Sequence, residues 1–225
     1  MGSVIGDILP IAIGVAISPI PIIAVILMLF TPRAKSNSVG FLGGWILGLA
    51  IVGSIVLIVA SIGDFEPDSG ESTASAVIRL VLGLLFLAIA VKQWKGRPKP
   101  GTKPKTPKWM AAIDSFTPAK SLGLGALLSG VNPKNLALTL AAAVTIAQAE
   151  LGTGQAIGSL VIFIIIASLS VAAPVLIYLT MGEKASKTLD GWKTWLIANN
   201  ATVMFVLLLV LGVLLLGKGI GGLTS

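Results

Sequence analysis

The chain has 225 residues, 55% apolar and 11% charged, with a net charge of +7. A mean hydropathy of +0.99 and several apolar runs long enough to cross ~30 Å of hydrocarbon exclude a soluble domain and indicate a polytopic all-α membrane protein. There is no cysteine and no histidine, which excludes disulfide and thiol chemistry and removes the commonest metal ligand and neutral-pH proton shuttle.

The first apolar run, about Ile8 to Phe30, lacks a preceding basic segment and a clear cleavage site. It therefore reads as a span, not a cleavable signal peptide. Ser18-Pro19-Ile20-Pro21 lies near its middle. Two prolines in four residues remove two backbone donors, so a kink or break is expected there. A basic turn with Arg33 and Lys35 leads to span two, about Val39 to Ile62. Gly40, Gly44 and Gly48 form small-xxx-small pairs, which let a second helix approach closely, within the chain or in a homodimer. Gly63 to Ser75 is an acidic turn, and span three follows from about Ala76 to Val91, with Arg79 in its first turn.

Residues 92–120 form the only long polar segment, with eight lysines and arginines against one acid, Asp114. Its prolines predict an extended linker, and Trp109, Ile113 and Phe116 at helical spacing predict a short interfacial helix at its end. A polybasic segment of this kind holds to anionic membrane lipids. Span four, about Ser121 to Gln148, contains Asn132-Pro133-Lys134-Asn135. Span five is about Ala156 to Met181, and Gly182 to Ala198 is expected to be a loop whose Trp192 and Trp195 suit the headgroup belt. Span six is about Asn199 to Leu216, followed by a loose glycine-rich tail.

The loops after spans one, three and five carry 2, 8 and 3 lysines and arginines, while those after spans two and four carry none. The positive-inside rule places the first three in the cytoplasm and both termini outside. The linker divides the chain into a three-helix segment 1–91 and a three-helix segment 121–225. Three is odd, so the two insert with opposite orientation. A shift of 114 residues sets Pro19 on Pro133, Ser18 on Asn132, Gly44 on Gly158 and Ser54 on Ser168. The string Leu80-Val81-Leu82-Gly83 returns as Leu209-Val210-Leu211-Gly212 at another offset. Together these predict six transmembrane helices as a 3+3 inverted-topology repeat, with helices 1 and 4 broken near the midplane and substrate bound between the breaks.

Lys134 sharpens the site. It lies roughly 13 residues, or ~20 Å, from either end of its run, too far to snorkel from a straight helix. A charge at such depth costs roughly 2.5–3.5 kcal/mol on insertion scales and marks a functional site. The spans offer no acidic partner. The expected counter-charge is therefore the substrate's phosphate, sulfate or carboxylate, met by Lys134 and by the amides of the half-helix starting at Pro133; the alternative is a Lys134 that is neutral in the empty protein and takes up a proton together with the anion. The substrate-binding candidates are Lys134, Asn132, Pro133, Asn135, Ser18, Pro19 and Pro21, with Arg79, Ser54 and Ser168 secondary. No nucleophile–base pair, buried carboxylate pair, metal cluster or phosphate-binding loop is present, so no enzyme activity, cofactor, metal or nucleic-acid partner is expected.

Ser18-Pro19-Ile20-Pro21 and Asn132-Pro133-Lys134 resemble the LysE superfamily of small exporters, which carry Pro-x-Pro in the first span and Asn-Pro-Lys in the fourth. Over its full length, basic linker included, the chain is similar to the GAP/Sap branch. The amino-acid exporters of the superfamily usually have glycine between the two prolines, where this chain has Ile20. The resemblance implies an actinobacterial inner-membrane protein that moves an anionic lipid-linked or glycolipid substrate, ion-coupled or uncoupled. Two other readings stay open: a secondary exporter of amino-acid-like solutes, and a non-transporting subunit that docks lipid-synthesis enzymes.

Overall fold

The computed structural model describes residues 1–62, 73–97, 112–149 and 151–224, and every regular element among them is helical. The elements are α1 (Gly2–Ala16), α2 (Pro19–Leu29), α3 (Ala34–Ile62), α4 (Thr73–Lys95), a 3-10 turn (Ile113–Ser115), α5 (Pro118–Gly130), α6 (Pro133–Ala147), α7 (Thr153–Met181), a second 3-10 turn (Gly182–Ala185) and α8 (Ser186–Thr224). The acidic turn up to residue 72 and the middle of the basic linker lie outside the described residues.

By length and apolarity α3 is a candidate membrane span, as is the stretch Thr153–Leu223, and α1 with α2 forms a third, bent by 53° at its break. The stretch from Thr153 is not one rod. Gly182, at φ 58° and ψ −138°, ends α7, in a backbone region that only glycine enters readily. At 13 and 15 residues, α5 and α6 rise about 20 Å each, and each is too short to cross the hydrocarbon alone.

The chain folds as two compact units, each drawing on both sides of the basic linker. One contains α1–α3, α5–α7, both 3-10 turns and α8 as far as Leu196; the other pairs α4 with α8 from Ile197 onward.

In the larger unit the closest packing is α3 on α5. A methyl added to Gly40 would fall 2.8 Å from the Pro118 carbonyl oxygen, one on Gly44 2.7 Å from the Leu122 carbonyl carbon, and one on Gly48 2.8 Å from the Ala126 oxygen. The glycine stripe of α3 is thus occupied within the chain by α5. Helix pairing in this unit is reciprocal: α3 packs on α5 and α6, while α7 packs on α1 and α2. Under the 114-residue shift these are equivalent pairs. The equivalence is incomplete, since a methyl on Gly154 would meet nothing within 4 Å and one on Gly158 only the Met1 side chain.

In the smaller unit the two copies of the repeated string meet each other. A methyl on Gly83 would meet Leu216 and the Gly212 oxygen, and one on Gly212 would meet Leu87 and the Gly83 oxygen. The repeated string is therefore a packing site, with its two glycines face to face.

Three sequence expectations change. The predicted loop after Gly182 is helical from Ser186, because Leu189 is fully buried while Trp192 and Trp195 are exposed, an amphipathic pattern. The predicted loose tail continues α8 to Thr224, where Gly219 lies against Ala76 and Leu80. The interfacial helix expected over Trp109–Phe116 is, in its described part, a 3-10 turn with Ile113 buried beneath it.

Candidate functional site

Both proline motifs break a helix, and both do so in the same way. Pro19 is the first residue of α2, after the N-cap Ser18, and Pro133 is the first of α6, after the N-cap Asn132. Proline suits that position because its missing N–H would have no partner there anyway. The asparagine caps its helix through Oδ1, which accepts from the Lys134 backbone N–H at 3.1 Å. Ser18 makes no such cap.

The hydroxyl of Ser18 is instead turned back toward α1, for a reason that starts with the prolines. In an unbroken helix the carbonyl of residue i−4 accepts from the N–H of residue i. Pro19 and Pro21 have no N–H, so the carbonyls of Val15 and Ile17 lose their helical donors. Ser18 N–H turns to the Ala16 carbonyl at 2.8 Å, which frees that of Gly14 as well. Three carbonyls, those of Gly14, Val15 and Ile17, are thus left at the end of α1 and need donors from elsewhere.

They find them, and Lys134 supplies most. Its Nζ donates to the Gly14 carbonyl at 2.8 Å, the Ile17 carbonyl at 3.0 Å and Ser18 Oγ at 2.7 Å. An ammonium has three protons, and all three are used. The one proton of Ser18 Oγ has two acceptors in reach, the Val15 carbonyl at 2.7 Å and Asn135 Oδ1 at 3.2 Å. Asn135 Nδ2 donates to the Leu128 carbonyl at 2.8 Å, on α5. Ser170 Oγ, on α7, donates to the Ala16 carbonyl at 2.6 Å. Lys134 is 8% exposed, Ser18 3% and Asn135 0%, so the network is closed to solvent.

The electrostatics follow from the helix end. The C-terminus of a helix carries roughly half a negative charge, and the Lys134 ammonium sits on it. The counter-charge that the sequence places only on a substrate is therefore supplied here by the fold itself. The amides expected to face a substrate at the start of α6 are also fewer than anticipated, since Pro133 has none and Asn132 holds that of Lys134.

Of the residues singled out from sequence, Ser18, Lys134 and Asn135 share one network, with Asn132, Pro19, Pro21 and Pro133 shaping it. Ser54 is half-buried on α3 and lies outside the network. Ser168 Oγ is buried with no hydrogen-bond partner among the described residues. The Arg79 side chain lies outside those described. The backbone acceptors of Gly14, Val15 and Ile17 and the hydroxyl of Ser170 did not stand out in the sequence. Val15 and Ile17 were signalled by the prolines, each of which orphans the carbonyl four residues earlier; Gly14, freed by the turn of the Ser18 N–H, and Ser170 had no such signal.

The sequence profile of a family described as Sap, sulfolipid-1-addressing protein, matches residues 8–221. The chain belongs to the Sap family. The matched range takes in both helix breaks and α4, and all but the last residues of α8. Family and apolar helices together mark this as a membrane protein. No curated protein and no solved structure matches the chain.

Proposed function

We propose that this Sap-family protein is a transporter or flippase that carries an anionic lipid-linked or glycolipid substrate across the bacterial inner membrane, through a six-span 3+3 inverted repeat with its basic linker in the cytoplasm and both termini outside. The observation that carries the proposal is the joint between the two broken helices, a buried ammonium on the second held by carbonyls at the end of the first. A buried, fully hydrogen-bonded lysine is costly to maintain as mere scaffolding. Its partner is a partial charge, so an acid bearing a full negative charge competes well for it. On substrate arrival Lys134 leaves α1 for the acid, and the contact that ties α6 to α1 opens. Substrate charge is thereby linked to movement of one half against the other, as alternating access requires.

The substrate class draws support from the family description, which names a sulfolipid. A sulfate ester stays ionised at every physiological pH and provides the required charge. An amino-acid-like solute brings an ammonium beside its carboxylate, so it gains less from Lys134 than a sulfate carrying a full net charge; this favours the lipid over the solute reading. The test is translocation in liposomes holding the purified protein, with a fluorescent sulfated glycolipid and its neutral counterpart. The expected result is at least tenfold faster movement of the sulfated lipid. Equal rates for both, at the level of protein-free vesicles, would overturn the proposal.

A further inference from the structure

The oxygens that hold Lys134 form a cation cage. The carbonyls of Gly14 and Ile17 and Ser18 Oγ converge on one point at 2.8, 3.0 and 2.7 Å. None has an intrahelical donor, because Pro21 lacks its N–H and Ser18 N–H has turned to Ala16. The point lies off the negative end of α1. Asn135 and Ser170, from two further helices, tie Ser18 and the Ala16 carbonyl in place, so the cage is held from outside as well as by its own helix. Unwound carbonyls at a half-helix C-terminus are how transporters coordinate a monovalent coupling cation. Among the described residues no carboxylate joins the three oxygens to add a second charge, so the site suits a monovalent ion and not Ca²⁺.

We infer that the end of α1 is a site for a monovalent alkali cation, which the Lys134 ammonium occupies as a built-in substitute. Its coupling consequence rests on the transport reading: the wild-type protein needs neither Na⁺ nor K⁺ to move its substrate. The site itself can be tested without any transport. In Lys134→Ala the side chain is gone, the oxygens remain, and the vacated volume admits a cation with water. Lys134→Met fills the volume without a charge.

Thermal unfolding of purified wild type, Lys134→Ala and Lys134→Met is measured in NaCl, KCl and choline chloride at equal ionic strength. The alanine variant is expected to melt below wild type in choline and to recover about 5–10 °C at a hundredfold excess of Na⁺ or K⁺ over its Kd. Wild type and the methionine variant are expected to show no difference among the salts. A folded alanine variant whose melting is the same in all three salts overturns the inference. Should Lys134→Ala not fold in choline, folding restored by NaCl or KCl supports the site. Failure in every salt, repeated with Lys134→Ser, overturns it. Cation binding in a protein that moves no lipid would leave the site standing and remove only the transport reading.

Discussion

The contact between α3 and α5 gives a steric prediction with an internal control. Replacing Gly44 by alanine drives a methyl onto the Leu122 carbonyl oxygen and to 2.7 Å from its carbon, against 3.4 Å for ordinary contact. The backbones must part by at least the difference, 3.4 − 2.7 = 0.7 Å. No side-chain rotation relieves this, because the obstacle is main chain. A gap of 0.5–1 Å forfeits about a quarter to a half of the dispersion energy of each contact affected, and overpacking of this kind costs about 1–3 kcal/mol. Alanine regains about 0.5–1 kcal/mol of backbone entropy relative to glycine. Taking the upper steric cost because backbone meets backbone, the net is about 3 − 1 = 2 kcal/mol of destabilisation, or a melting temperature lower by about 4–8 °C. Gly43, one residue earlier on the same helix, has nothing within 4 Å of the added methyl. Gly43→Ala keeps the entropy gain without the clash and is expected to be neutral or slightly stabilising. Thermal unfolding in detergent decides. If Gly44→Ala melts like Gly43→Ala, the close approach of α3 and α5 is wrong.

Three other substitutions probe the break and the end of α7. Ser18→Ala removes an acceptor from a buried ammonium and a donor from the Val15 carbonyl, and is expected to cost about 1.5–3 kcal/mol in thermal unfolding; a loss below 0.5 kcal/mol would show that Ser18 is not part of the network. Asn132→Ala removes the cap of α6 for about 1 kcal/mol, while Asn132→Ser keeps most of it; equal melting of the two variants would contradict the capping role. Gly182→Ala forces a side chain onto a positive φ and is expected to cost about 1–3 kcal/mol, with wild-type melting the refuting result.

Sequence patterning made the helical class and the two breaks legible because each has a local cause. Pro19, with Pro21 two residues on, and Pro133, after the capping Asn132, interrupt their helices through neighbours in the sequence, while Pro10 and Pro174 stand alone inside helices that continue; an apolar run announces a helix in lipid by length alone. Other features depended on partners that no local pattern names. Lys134 is conspicuous as a charge in an apolar run, yet its partners are carbonyls, and a carbonyl carries no sequence label. The apolar runs show no acid to pair with it, and the balancing charge is a helix end more than a hundred residues away. The stretch from Ser186 reads as a loop from its lysines and tryptophans, but the burial of Leu189 against the rest of its unit makes it helical. The glycines of α3 were readable as a close-packing stripe, whereas the identity of the helix that fills it came only from the fold.

The most direct measurement is the initial rate at which a sulfated glycolipid crosses liposomes holding Lys134→Met, set against wild type at equal protein density and equal elution by gel filtration. Methionine keeps the bulk of the lysine stem and removes the charge. Losing one charge-assisted interaction of about 1.5–3 kcal/mol predicts a rate at least tenfold lower. A Lys134→Met protein that moves the lipid as fast as wild type would contradict the role given to the joint between the two broken helices.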